Sequence, residues 1–142
     1  MVVVVGVDES PVSVTVLARG IQEARWRGTD VHVVHVLQAP VTYGEFPLDM
    51  AAFAEAQRNA VWRSLESTIA GADISIERVD LGGYPPDVLV RYASEHAAEL
   101  LVVGTRGRGS FTSLLLGSTS QRAIHLAECD VLVVKPEQPP EQ

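Results

Sequence analysis

Four short runs constrain this chain more than anything else, because in each of them both faces of an extended strand would be largely apolar. Val2 to Val7 is β-branched throughout except for Gly6, and Val31 to Leu37, Leu100 to Val103 and Val131 to Val134 repeat the signature. Such strands must be covered on both faces, which is the situation inside a parallel sheet wrapped by helices. The stretch Ile74 to Leu81 is different, because Ser75, Glu77, Arg78 and Asp80 interrupt its apolar residues. That pattern suits an edge strand.

Helical segments fill the intervals. Ser10 is a candidate cap and Pro11 a first helical residue for a helix reaching Gly28, with Val14, Leu17, Ala18, Ile21 and Ala24 expected on its buried face. A second helix is expected over about Ala51 to Ala70, burying Phe53, Ala60, Val61, Leu65 and Ile69 and stopped by Gly71. Pro85-Pro86-Asp87 opens a third helix to about Ala97, and Ser118 to Ala127 forms a fourth. Five strands alternating with four helices predict a single α/β domain, an open, doubly wound parallel sheet with helices on both faces. The domain is expected over residues 1–136, with residues 137–142, rich in Pro, Glu and Gln, as a disordered tail.

At 142 residues the chain is one ordinary domain of roughly 150 residues. Its net charge of −7 has the wrong sign for a protein that neutralises nucleic-acid phosphates, so no nucleic-acid partner is expected. Cys129 is the only cysteine, which excludes an internal disulfide and any Cys-x-x-Cys clip and leaves it as a small buried hydrophobe. The apolar opening has no basic flank and falls short of the ~18 residues of a membrane span. A cytoplasmic protein without a membrane partner is expected.

In open α/β sheets, ligands sit beyond the carboxyl ends of the strands. The residues there are Asp8, the Val36 region and the segment from Gly104 to Ser110, followed by Gly117-Ser118-Thr119-Ser120-Gln121 at the start of the fourth helix. Ser118 and Gln121 have capping-box spacing, so Ser118 is the expected cap. A helix start preceded by glycine, with free N–H groups and a favourable dipole, is a natural phosphate site. Gly104 and Gly107 permit close backbone approach, and Arg106 and Arg108 add positive charge to an otherwise acidic chain. Asp8, across the crevice, has the chemistry to accept from ribose hydroxyls or an adenine amine, or to hold a phosphate-bound metal ion such as magnesium. A Walker A loop is excluded because Ser110, not lysine, follows Gly109, and a dinucleotide fingerprint is excluded because Asp8-Glu9-Ser10 follows the first strand.

The spacing present is G-x2-G-x9-G-[ST], met by Gly104, Gly107, Gly117 and Ser118. With the V-V-x-V-D-x-S opening at Val4 to Ser10, the L-L-V-V-G-T-R-G-R-G segment, the L-L-L-G-S turn and the final D-V-L-V-V-K, the chain resembles the universal stress protein family in its ATP-binding branch. The resemblance implies strand order 3-2-1-4-5, bound ATP or AMP, a homodimer formed through the last strand (Val131 to Val134), and a stress or energy-state sensor acting on an unidentified regulatory partner. It further implies that Asp8 contacts the adenosine, Val36 the adenine through its backbone and Gly104 the ribose, with Arg106, Gly107, Gly117, Ser118 and Thr119 around the phosphates. Ser10, in the opening motif, is counted with them. Glu9 stands where many members carry a smaller residue.

Tyr43 and Phe46 in the long connection from Gln38 to Asp49 would cover a base or anchor the loop. His32 and His35, three apart on a strand, point to opposite faces and share no metal, and His96 and His125 are expected as solvated helix residues. No catalytic residue or protein metal site is assigned. Without a general base or a phosphate-gripping lysine, hydrolysis of ATP is at most slow. A phosphoacceptor receiver would use Asp8-Glu9, Asp80, Thr105 and Lys135, but needs the third strand in the sheet interior. A dimeric module of the same fold without a nucleotide is the remaining alternative.

Overall fold

The computed structural model describes residues 1–38, 50–105 and 116–137. In chain order the elements are β1 (Val2–Val7), α1 (Val12–Arg27), β2 (Asp30–Leu37), α2 (Met50–Ala70), β3 (Ile76–Gly82), α3 (Pro85–Glu95), β4 (Ala98–Gly104), α4 (Ser118–Leu126) and β5 (Asp130–Val134). All strand pairs are parallel, in the order β3-β2-β1-β4-β5. This is the open, doubly wound sheet expected from the sequence, with the strand order that the family resemblance implies. The polar strand β3 is at an edge and pairs only with β2 among the described residues.

The apolar runs split by alternation. Val3, Val5, Val31 and Val33 join one cluster with Leu17 and Ile21 of α1 and Val61 and Leu65 of α2. Val2, Val4, Val34 and Val36 join the other with Leu89 and Tyr92 of α3 and Ala123 of α4. Val3, Val4 and Val5 are each 0% exposed, so neither face of β1 reaches water, and each such side chain contributes about 1.5–3 kcal/mol of burial.

The helix faces differ in detail from the periodicity. In α1 the buried residues are Ser13, Val16, Leu17, Gly20, Ile21 and Ala24, whereas Val14 and Ala18 are exposed. The reason is Gly20, which lies so close to β1 that a Cβ there would run into Cγ2 of Val5, rotating the contact stripe toward the glycine. Phe53 and Ala60 are exposed on α2, and Trp62 is buried in their stead. Ser10 does not cap α1: the helix begins at Val12, and Pro11, the residue before it, makes no side-chain cap bond. Gly28 closes α1 at φ 66°, a left-handed conformation suited to glycine, where its N–H is satisfied by Ala24 and Arg25 carbonyls.

The two strand histidines face opposite sides, as alternation requires. Nδ1 of His32 lies 2.8 Å from the Tyr92 hydroxyl on the α3 side. His35, 1% exposed, turns toward α2, where its Nδ1 is 3.2 Å from Asp80 Oδ1. Trp62 Nε1 donates to the same carboxylate at 3.0 and 3.1 Å, so Asp80 ties α2 to the edge strand. Asp80→Ala is expected to lower stability by about 1–3 kcal/mol, because it strands the indole N–H and the buried imidazole. A urea midpoint equal to that of the unaltered protein would contradict this role. His96 is more than a solvated residue, since its ring stacks on Tyr92 at 3.8 Å between centroids. Burial, with Glu77 nearby, pushes the Tyr92 hydroxyl above its ordinary pKa. Cys129 is half-buried, and that burial raises its thiol pKa.

Candidate functional site

The chain runs outward from β1 through β2 to β3, then returns to the other side of β1 for β4 and β5, so the connections diverge between β1 and β4. At that switch point opens a cleft of about 330 Å³, within the usual range for small-ligand sites. Its apolar wall comes from Val36 of β2, Pro86 and Leu89 of α3, Val103 of β4 and Val12 and Val16 of α1. Its polar side comes from Asp8, Glu9, Ser13 and Gln57, and one end is closed by Gly104, Gly117, Ser118 and Thr119.

Helix α4 starts differently from the capping-box expectation. Gly117, not Ser118, is the residue before the helix, in an extended conformation (φ −67°, ψ 167°), and having no side chain it cannot cap the first turn. Gln121 reaches back to donate from Nε2 to the Leu116 carbonyl at 2.8 Å. The extended conformation at Gly117 moves the helix boundary by one residue, placing Ser118 inside the first turn. Among the described residues no side chain accepts from the amide N–H groups of that turn, which stand at the positive end of the helix dipole. The Gly117 N–H itself donates to Thr105 O, and Ser120 Oγ donates to Gly117 O at 3.0 Å, so the turn is braced from below.

On the opposite side, the loop after β1 is ordered by Asp8. Its Oδ1 accepts from the Ser10 N–H at 2.8 Å, a turn of the Asx type, and from Ser13 Oγ at 3.1 Å. Ser13 Oγ in turn accepts from the Asp8 N–H at 2.9 Å. Ser10 therefore contributes its backbone to the loop and is not among the cleft's lining residues.

The structure thus brings Asp8, Val36, Gly104, Gly117, Ser118 and Thr119 to one cleft. Arg106, Gly107 and Arg108 lie outside the described residues, as do Tyr43 and Phe46. Ser13, Gln57 and Tyr84 line the cleft without having been singled out by sequence. Ser13 carried a faint signal, five residues past Asp8 and so within the first turn of α1. Tyr84 precedes the Pro85-Pro86 helix start, is 45% exposed at the cleft, and has the Arg122 guanidinium 5.9 Å from its ring centre. Arg122 also pairs with Asp87 at 2.8 Å, which links the first turn of α3 to α4.

A receiver arrangement does not fit this topology. Strand β2 separates β3 from β1, so Asp80 and Asp8 are not on neighbouring strands, and the Asp80 carboxylate is engaged with Trp62 and His35. Among the described residues, no three His, Cys, Asp or Glu side chains are grouped to hold a metal ion, and no helix is long and apolar enough to cross a membrane.

Comparison with known proteins agrees with this architecture. The family model described as the universal stress protein family matches residues 1–135. A universal stress protein of Mycobacterium tuberculosis is 35% identical over 140 residues, covering 94% of this chain and 45% of its own length. The chain thus spans about half the length of the first curated relatives it matches. Among solved structures, a universal stress protein in complex with cAMP superposes with a TM-score of 0.73 at 29% identity, over 96% of this chain and 98% of that one. The Archaeoglobus fulgidus universal stress protein in complex with dAMP gives 0.71 at 27% identity, over 95% and 98%. A cleft at the switch point of a 3-2-1-4-5 sheet and a family match over nearly the whole chain lead to one conclusion: the chain belongs to the universal stress protein family.

Proposed function

We propose that the cleft binds an adenine ribonucleotide, ATP or AMP, and that its occupancy is the protein's signal. The observation that carries this reading is the glycine-preceded first turn of α4, with no capping side chain among the described residues, at one end of a cleft whose other wall is apolar. A base fits against Val36, Pro86 and Leu89, phosphates fit the N–H groups at Ser118 and Thr119, and the sugar falls between them, beside Asp8 and Gly104. Arg106 and Gly107 are assigned to the phosphates, and Ser10 to the site, on the family resemblance alone. Two neighbours of this fold were solved with cAMP and with dAMP, which supports an adenine nucleotide here.

Residues 1–136 form the nucleotide-binding domain. The protein is a cytoplasmic sensor rather than an enzyme, turning over ATP slowly at most, with magnesium accompanying the phosphates and a regulatory protein reading the bound state. Calorimetric titration with ATP and magnesium, together with ion-exchange analysis of nucleotide released on denaturing fresh protein, tests the core claim. Micromolar binding or co-purified adenine nucleotide is expected. Absence of both would favour a dimeric module of the same fold without a nucleotide.

The second copy is proposed to pair along β5. Among the described residues this strand pairs only with β4, and Ile124 and Leu126 of α4 are 49% and 48% exposed. Because Val134 O is turned toward β4, where it accepts from the Thr105 N–H, strand alternation turns the Val133 peptide groups to the open edge. Val133→Pro removes a donor from that edge alone. Monomers on sizing chromatography with an unchanged circular dichroism spectrum are expected, and a persisting dimer would reject this interface.

A further inference from the structure

We propose that Ser13 is a positioning residue of the site, presenting a single oxygen of Asp8 to the ribose; this rests on the nucleotide reading above. Ser13 is 3% exposed, yet it is a polar residue on the buried face of α1 and lines the cleft. Its hydroxyl meets Asp8 twice, accepting from the backbone N–H at 2.9 Å and donating to Oδ1 at 3.1 Å. With the Ser10 N–H at 2.8 Å on the same oxygen, Oδ1 is held by two donors. The carboxylate is thereby fixed in rotation, and Oδ2 is the oxygen that these bonds leave open.

The sheet order says what that oxygen meets. β1 lies between β2, which supplies the apolar wall at Val36, and β4, which leads to the helix start at Ser118. A nucleotide laid across the strand ends with its base toward β2 and its phosphates toward α4 has its sugar over the end of β1, where Asp8 stands. A carboxylate oxygen there accepts from a ribose hydroxyl, and a fixed oxygen does so without the entropy loss of ordering a free side chain on binding. Ser13 therefore acts on the ligand through Asp8 and does not touch it.

The test compares ATP with 2′,3′-dideoxy-ATP by calorimetry on the unaltered protein, Ser13→Ala and Ser13→Thr. Loss of the ribose hydroxyls is expected to weaken binding to the unaltered protein about tenfold, the size of one hydrogen bond to a charged acceptor. Ser13→Ala is expected to bind ATP about tenfold more weakly while binding the dideoxy nucleotide as the unaltered protein does. Ser13→Thr, which keeps the hydroxyl, is expected to retain the discrimination. A structural role alone would weaken both ligands by one factor, and that result, or unchanged ATP affinity, would overturn the proposal. Ser13→Cys, of nearly the same volume but with a poor donor, asks the same question with the same expected loss should the alanine variant not fold. If the unaltered protein binds ATP but does not discriminate against the dideoxy form, the role of Ser13 is rejected and the nucleotide reading survives. If it binds neither ligand, the nucleotide reading itself fails.

Discussion

Gly20→Ala is expected to destabilise the protein by about 2–3 kcal/mol, although alanine is the better helix former by roughly 1 kcal/mol. A Cβ at this position of α1 meets Cγ2 of Val5 at a separation that real atoms do not adopt. Val5 has nowhere to go. It is 0% exposed in the central strand, packed in the cluster that holds Leu17, Val33, Val61 and Val102. The strain must therefore be relieved by lifting α1 off the sheet or by forcing Val5 out of its rotamer, and either loosens a close-packed layer. Val5→Ala removes the offending methyl and leaves a cavity of its own, costing about 1–3 kcal/mol. Combined with Gly20→Ala, the new methyl fills part of that cavity. The double variant is expected to be more stable than the sum of the single losses by at least about 1 kcal/mol, read from urea unfolding midpoints. Strict additivity would mean that α1 is not seated on Val5 through Gly20.

The same contact explains where the sequence could be read and where it could not. The strands were legible because an apolar run with two apolar faces has few destinations, and the edge position of β3 was legible from Glu77, Arg78 and Asp80. The face of α1 was not, because its apolar residues outnumber those one stripe can bury. Which side is chosen depends on a glycine whose role appears only once β1 lies beneath it. Phe53 differs for a related reason, since α2 is buried through Val61, Trp62 and Leu65, while residues 51–60 ahead of them are exposed or half-buried. At the site, the glycine spacing and Asp8 were legible from local backbone chemistry. Ser13 and Tyr84 were not, since a serine in a first helical turn or a tyrosine before two prolines has many ordinary explanations until a cleft forms beside it.

Gly117→Leu is expected to weaken ATP binding by at least about 100-fold, equivalent to about 2.7 kcal/mol, while leaving the melting temperature and the elution volume on sizing unchanged. The separation of effects follows from the backbone. Gly117 has φ −67° and ψ 167°, a conformation open to any residue, so a side chain there brings no backbone strain. Its N–H donates to Thr105 O and its carbonyl accepts from Ser120 and Gln121, bonds that leucine can also make. What leucine cannot do is leave the space in front of the α4 N–H groups empty, because Gly117 lines the cleft directly beside Ser118 and Thr119. A phosphate held by those amides has to approach within hydrogen-bond distance, and a branched side chain at the entrance to the turn would hold it off. A variant that is folded, unchanged in assembly and unable to bind ATP is therefore the expected result. Retained affinity would place the phosphates away from α4 and remove the observation on which the nucleotide reading stands.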